Sequence, residues 1–455
     1  MSGTLSFEQL RSAVDDGSID TVAAVMVDMQ GRLMGKRFHA RHFIDSAWEE
    51  THCCDYLLAT DLEMATPDGY AATSWASGYG DYEMKPDLDT IRRMPWVDGA
   101  ALVLCDVLDP DTHEPVPHSP RQMLKRQLAR LAERGYRCTA ATELEFFLYE
   151  ESYAEARAKG YRNLTPISAY NEDYHLFQTA KEEHVMRPIR NHLAAAGLPI
   201  EGTKGEAAAG QAELNIRYAE AGACADMHVF AKHAIKEIAW QQERSVTFLA
   251  KPGTDASGSS SHVHLSLRDE DGAAVFFDAD RPYGMSELMG QALAGQIAHA
   301  ADTAVFFAPY INSYKRFAPG TFAPTRAIWS IDNRTAGYRI CSPGTEGVRI
   351  ECRIGGVDLN PYLALAALIA SSIKGIDDGL EPPEAFTGDA YDAADAPGIA
   401  RTLRDARDAL KGSTMLREAF GDEVVEHYVR MASVEIEDFD RTVTDHEIRR
   451  GFERA

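Results

Sequence analysis

Four short segments, far apart in the chain, alternate apolar and polar residues with period two, the pattern of strands that bury one face only. In 142–148, Leu144, Phe146 and Leu148 point one way while Glu143 and Glu145 point the other. In 211–218, Leu214 and Ile216 oppose Glu213, Asn215 and Arg217. In 262–267, Val263, Leu265 and Leu267 oppose His262, His264 and Ser266. In 348–354, Val348, Ile350, Cys352 and Ile354 oppose Arg349, Glu351 and Arg353.

A solvated sheet face with cross-strand ion pairs accounts for any one of these segments. Together they hold few of the Lys, Thr and Gln residues that usually face water, and concentrate Glu, His and Arg instead. If they share one sheet, carboxylates and imidazole lie beside guanidinium groups. Hard oxygen ligands with a histidine suit Mg²⁺ or Mn²⁺, and arginines suit phosphate and carboxylate. Phosphoryl transfer from a metal-bound nucleotide needs that combination. The sequence has no Gly-x-x-x-x-Gly-Lys-Ser/Thr loop, no Gly-x-Gly-x-x-Gly, and no second histidine to make His446-Glu447 a zinc motif.

Charge narrows the partners. Among 455 residues, 70 acids against 46 bases give a net charge of −24. That disfavours nucleic acid and an anionic membrane surface, which both require a basic face. No apolar run approaches the roughly 20 residues of a membrane span; 362–370 is among the longest. No secretory signal is visible near Met1, and the seven cysteines lack Cys-x-x-Cys spacing, so a reducing cytoplasm is the expected location.

A β-branched run over 21–27, the turn Asp28-Met29-Gln30-Gly31 and the segment 32–38 predict a hairpin. Residues 69–80 read as loop and 96–107 as strand, with a proline-rich boundary near 110–118 that divides the chain into 1–112 and 113–455. Ser119-Pro120 predicts a helix N-terminus capped by Ser119, and Gly135 its end. Further helices are expected over 228–244, over 361–373 behind Asn360, and several times between 399 and 452. The helix at 361 is apolar all round and is expected to be buried.

The order of these segments resembles a class I glutamine synthetase over nearly the whole chain. The matching stretches are Lys85-Pro86-Asp87 with Pro95-Trp96, Glu143-Leu144-Glu145-Phe146, and Glu206-Ala207-Ala208-Ala209-Gly210-Gln211-Ala212-Glu213. They continue with Lys251-Pro252, Gly258-Ser259-Ser260-Ser261-His262-Val263-His264-Leu265-Ser266, Asn312-Ser313-Tyr314-Lys315-Arg316, Asn333-Arg334, Arg349-Ile350-Glu351-Cys352-Arg353 and Asn360-Pro361-Tyr362. The resemblance implies an α+β fold: a small N-terminal β-grasp domain and a catalytic domain whose antiparallel sheet lines the active site, flanked by helices. It implies ATP as co-substrate and two Mg²⁺ or Mn²⁺ ions per site. Glu145, Glu206 and Glu213 match the ligands of the first ion, and Glu143, His262 and Glu351 those of the second. Arg316 and Arg353 match the arginines that hold L-glutamate and its γ-carboxylate, and Gly258 the loop that receives its amino acid end. Arg334, Arg339 and Arg349 match phosphate contacts; Glu201, Tyr218, His264 and Ser266 fall at nucleotide positions. Plain core packing is the competing reading of those last four. Arg316, Arg334 and Arg353 are the implied catalytic side chains. The family assembles as a homododecamer of two hexameric rings, with each site between neighbours.

Two departures point away from ammonium. The family's Pro-Gly-x-Glu-x-Pro reads Pro319-Gly320-Thr321-Phe322-Ala323-Pro324, so Phe322 replaces the glutamate that handles ammonium. The N-terminal Asp-Gly-Ser-Ser element is not found; Asp68-Gly69-Tyr70 and Ser74-Trp75 occupy that region. An apolar wall suits an amine with a carbon tail. The chain therefore resembles the γ-glutamyl-amine ligase branch. Asp28-Met29-Gln30-Gly31-Arg32-Leu33, Cys54-Asp55-Tyr56-Leu57-Leu58-Ala59 and Gly78-Tyr79-Gly80-Asp81 are similar to actinobacterial enzymes of γ-glutamylethanolamide synthetase type. Ethanolamine is the favoured substrate; polyamines such as putrescine, ammonium itself, and a non-catalytic relative remain alternatives. The adenylylation tyrosine of some relatives would fall near Tyr391, but the surrounding residues do not match, so no such switch is expected.

Overall fold

A computed structural model describes residues 5–393 and 395–455. The expected hairpin forms from β1 (Thr21–Val27) and β2 (Leu33–His39). Its turn is held by the Asp28 carboxylate, which accepts from the Gln30 and Arg32 amides at 3.0 and 2.8 Å, while Gly31 takes a positive φ of 78°. The other strands of the first sheet are β3 (Thr51–Cys54), β4 (Asp81–Pro86), β5 (Arg92–Arg93) and β6 (Ala100–Leu108). Their order is β2-β1-β6-β4-β3, with β5 also on β6; β1 and β6 run parallel and the remaining pairs antiparallel. The strand expected from 96 begins only at Ala100. Trp96 lies in the preceding turn, buried, and donates its indole N–H to Glu237 at 2.7 Å.

The second sheet contains β7 (Tyr136–Tyr149), β8 (Ile200–Gly205), β9 (Gln211–Ile216), β10 (Ala219–Glu220) and β11 (Ser245–Thr247). It continues with β12 (Val263–Asp269), β13 (Trp329–Ile331), β14 (Tyr338–Cys341) and β15 (Arg349–Cys352). The order β13-β14-β15-β12-β7-β9-β8 makes the four alternating segments contiguous neighbours, β15, β12, β7 and β9. The sheet is antiparallel except for the parallel pair β13–β14. The apolar face packs into the core: Leu144, Phe146, Leu148, Leu214, Val263, Leu265 and Ile350 are at most 1% exposed.

Helices flank this sheet. The helix expected from 228 starts seven residues earlier and spans Ala221–Gln241, and most of its length is buried. The Pro120–Ala132 helix starts where expected, but the Ser119 side chain makes no capping bond there. The Pro361–Asp377 helix is buried nearly throughout, as its all-round apolar sequence requires. Its cap joins the two sheets' territories: the Asn360 side chain accepts from the Tyr362 amide at 3.1 Å and donates to the Asp28 and Met29 carbonyls at 3.0 and 3.2 Å. No helix among the described residues is long and apolar enough to cross a membrane.

Candidate active site

The polar face of the second sheet collects the carboxylates by register. Glu145 on β7 stands opposite Glu213 on β9, and Glu143 opposite Asn215. On the other side His264 stands opposite Glu351, whose second neighbour is Arg339 on β14. His262 immediately precedes β12, and its carbonyl accepts from the Glu143 amide at 3.1 Å. Among the described residues the ligating atoms of Glu143, His262 and Glu351 lie within 4.8 Å of one another, as do those of Glu143, Glu145 and Glu213. The three ligands expected for the second ion thus converge. Of those expected for the first, Glu145 and Glu213 converge, and Glu206 lies beside Glu213 while pairing with Lys204. The Lys204 ammonium also lies 3.9 Å from Glu213.

The two halves differ electrostatically. Around Glu351, burial would raise the carboxyl, but His262 and Arg353 override it and hold the carboxyl below its usual range. Arg353 donates to it at 2.6 Å and Arg339 at 3.0 Å. Glu143 is likewise raised by burial but held low by His262 at 2.6 Å and His264 at 3.1 Å. Glu145 and Glu213 are compensated less: burial first, then neighbouring carboxylates, push both carboxyls well upward, although the Ser260 amide and Arg316 oppose the rise at Glu145. Packed carboxylates this buried call for a cation. Oxygen donors with a single imidazole suit a hard divalent ion, so the residues present fit two such ions.

Beside this cluster a cavity of about 620 Å³ opens over the sheet, with Glu143 in its wall. Six of the seven residues expected to face a nucleotide line it: Glu201, Tyr218, His264, Ser266, Arg339 and Arg349. Arg349 Nε approaches His264 Nδ1 at 3.3 Å. Arg334 is not in its wall; the Arg334 carbonyl accepts from Arg353 Nε at 3.1 Å, on the far side of Glu351.

The residues expected to meet glutamate gather on that far side. Arg316 is 2% exposed and donates to Ser260 Oγ at 3.1 Å, to the Arg353 carbonyl at 3.4 Å and to the Ile354 carbonyl. Burial lowers its guanidinium to about 10 although Glu145 pulls the other way, and its Nε has no partner among the described residues. Gly258 lies against this side chain: an added Cβ would come within 2.9 Å of Arg316 Cδ, so the position has no room for one. Phe322 sits at the rim with φ +57°, the residue 60% exposed and its carbonyl 3.5 Å from Arg353 Nη2. Tyr391 donates its hydroxyl to the Ala323 carbonyl at 3.0 Å and so ties this rim down. The 66–80 loop packs elsewhere in the same chain: Arg430 of the Asp422–Arg441 helix donates to the Asp68 carbonyl at 2.8 Å.

Three site residues escaped sequence reasoning. Lys204, on β8, carries no signal that sets it apart from a lysine facing water. Cys341 is 3.2 Å from Glu351 and Asp332 pairs with Arg339, but neither carries a local signal.

The family model of the glutamine synthetase catalytic domain matches residues 117–451. The chain is 47% identical over 451 residues to a gamma-glutamylethanolamide synthetase of Streptomyces coelicolor, covering 99% of this chain and 96% of that one. It is 36% identical over 445 residues to a glutamate–isopropylamine ligase of a Pseudomonas species, covering 97% of each. Among solved structures, GmaS in complex with ADP superposes with a TM-score of 0.85 at 26% identity, covering 98% of this chain and 99% of that one. The chain belongs to the glutamine synthetase family.

Proposed function

We propose that the protein joins the γ-carboxylate of L-glutamate to a small primary amine at the expense of ATP, with ethanolamine as the preferred amine. The observation that carries this reading is Phe322: the rim position beside Arg353 presents an apolar ring where an ammonium site needs a carboxylate. The relatives named for ethanolamide synthesis and isopropylamine ligation support it.

In this reading the cavity lined by Tyr218, His264 and Ser266 takes the nucleotide, with Arg339 and Arg349 on its phosphates. Glu145, Glu206 and Glu213 hold one divalent ion; Glu143, His262 and Glu351 hold the second. Mg²⁺ or Mn²⁺ bound there would neutralise charge on the transferring phosphoryl group. Gly258 and Arg316 position glutamate, and Arg353, with Arg334 beside it, faces the γ-carboxylate. Attack of that carboxylate on the γ-phosphorus expels ADP and gives an acyl phosphate. The amine nitrogen then attacks the acyl carbon, losing one proton as phosphate departs. Two methylenes against Phe322 gain about 1.6 kcal/mol, roughly tenfold in affinity.

The same reading includes a division near residue 112 into an N-terminal and a catalytic domain, a cytoplasmic enzyme, and a homododecamer in which a neighbour's 66–80 loop closes the amine side. The exposure of Phe322 supports that last element.

The test compares kcat/KM for ethanolamine, isopropylamine, putrescine, methylamine and ammonium in wild type and Phe322→Glu. Preference for ammonium in wild type would overturn the amine reading, and a diamine ahead by more than tenfold would replace ethanolamine. An active 50 kDa monomer in light scattering would remove the ring.

A further inference from the structure

A second cavity, of about 630 Å³, lies between the β1–β2 turn and the Ala221–Gln241 helix and shares no lining residue with the nucleotide cavity. Lys232 and Lys236, one helical turn apart, both line it, and their ammonium groups lie 5.2 and 5.6 Å from the centre of the same Phe248 ring. Among the described residues neither lysine has a carboxylate within ion-pairing distance. Lys232 donates only to the Val357 carbonyl, at 2.8 Å. Burial first, and then the Lys236 charge, lower its ammonium to about 7, so the site penalises the cations it assembles.

Most of the other charged groups in the wall are engaged; among the described residues the Oδ1 of Asp358 has no partner, and its charge acts on Lys232 from within the wall. Arg32 is paired with Asp28 at 2.7 Å, and His233 with Glu237 at 3.3 Å. Asp358 accepts from Ser313 Oγ at 2.7 Å and Glu435 from the Ile311 amide at 3.3 Å; burial raises both carboxyls toward their neutral form. What faces the space without a carboxylate at ion-pairing distance is a pair of ammonium groups. The rest of the wall is largely carbon, from Leu33, Leu62, Val229, Val246 and Phe248.

We propose that this cavity is a binding site for a small organic dianion, a dicarboxylate whose two carboxylates are held by Lys232 and Lys236 while its carbon chain lies against Phe248. Two cations one turn apart fit two separated anionic groups. The volume far exceeds that of inorganic phosphate, and the apolar wall suits a ligand with carbon between its charges. Lys232 is part-buried and Lys236 exposed, so the pair can meet a ligand entering from solvent, and the unpaired, partly desolvated cation favours an anion that completes it. The position matters to the active site: β11, which leads into Phe248, pairs with the stretch of β7 that follows Glu143 and Glu145. An occupant therefore stiffens the strand next to the metal-binding carboxylates.

The test uses the full-length protein in EDTA, with succinate as probe and butyrate, of equal carbon number but one charge, as control. Titration calorimetry and thermal unfolding should show saturable succinate binding, with butyrate weaker by roughly tenfold or more. Lys236→Met, at the exposed mouth of the cavity, should lose binding by a similar factor with circular dichroism unchanged; Lys232→Met should behave the same way. Equal shifts from succinate and butyrate would overturn the proposal. So would succinate binding that survives Lys236→Met, which would place the ligand at the glutamate site. Loss of assembly in Lys236→Met without any succinate binding would assign the lysines to a contact between copies and also overturn it.

Discussion

Glu145 and Glu213 stand directly opposite each other on adjacent antiparallel strands, both at most 6% exposed. A sheet ordinarily rewards opposite charges at such a pair and penalises like ones. The repulsion is tolerable because the neighbourhood is built to receive a cation, and Lys204 supplies only part of that charge. Metal removal by EDTA should therefore lower the melting temperature, and Mn²⁺ at about 100 times its Kd should restore roughly 2.7 kcal/mol. Glu213→Gln should melt higher than wild type in EDTA and gain less from Mn²⁺. Calorimetric melting of both proteins with and without Mn²⁺ checks this.

Glu351 is fully buried between Arg353 and Arg339. Glu351→Ala removes a carboxylate proposed to hold the second ion and leaves Arg353 without a carboxylate partner, while Arg339 keeps Asp332. A loss of about 3 kcal/mol in stability is expected from unpairing a buried ion. The drop in kcat should reach at least two orders of magnitude, since transition-state charge is then less offset. Urea unfolding and steady-state kinetics on the same preparation separate the two effects.

The imidazoles of His118 and His427 stack with centroids 4.1 Å apart, and His427 bonds the Leu58 carbonyl at 2.7 Å. Burial holds His427 down to about 4, and burial together with the His427 charge keeps His118 well below its usual 6.5. In the unfolded chain both titrate near 6.5. The native state therefore binds fewer protons than the unfolded state between those values, and stability falls as pH drops from about 6.5 to about 4. The loss should amount to a few kcal/mol for the pair. Urea midpoints at pH 7.5, 6, 5 and 4.5 in EDTA should show it, with a flatter profile in His427→Gln.

An added methyl at Gly258 meets Arg316 Cδ at 2.9 Å and the Ala250 carbonyl at 3.2 Å. Gly258→Ala should displace the Arg316 guanidinium and raise KM for glutamate by roughly tenfold or more, because a small misplacement of a positioning group is costly. KM for ATP should hardly change. Equal rises in both would show a general distortion instead.

Tyr391 is partly buried with its hydroxyl engaged by Ala323, one residue from Phe322. Tyr391→Phe loses one neutral hydrogen bond, worth about 1 kcal/mol. It should raise KM for the amine several-fold while leaving KM for glutamate within twofold. An unchanged amine KM would mean that the rim does not need this tie.

Much of the site could be read from local pattern, because period two assigns Glu143, Glu145, Glu213, His264, Glu351 and Arg353 to one side of their strands without any knowledge of the fold. That these strands are neighbours could not be read that way. Their order places 349–352 beside 263–269 and 136–149 beside 211–216, pairings set by long-range packing. Local signals also misled. The apolar run from Trp96 looked like strand, but its indole turns aside to reach Glu237. The Ala221–Gln241 helix begins without a side-chain cap, so no residue announced its start. Lys204 was missed because a lysine on a strand usually faces water, whereas this one is only about one-fifth exposed and points at carboxylates.

Asn360 grips the Asp28 and Met29 carbonyls across a separation of 332 residues. During synthesis the β1–β2 turn leaves the ribosome well before its clamp, which is not made until 332 further residues have followed. At 5–20 residues per second that interval lasts roughly 17–66 s. Throughout it the first sheet must stand without its clamp, with Met29 and the apolar side of β1 open to wrong partners. Productive biogenesis of this chain therefore depends on its first hundred residues staying soluble while they wait, and solubility-lowering substitutions there should reduce yield more than equally destabilising ones near the C-terminus.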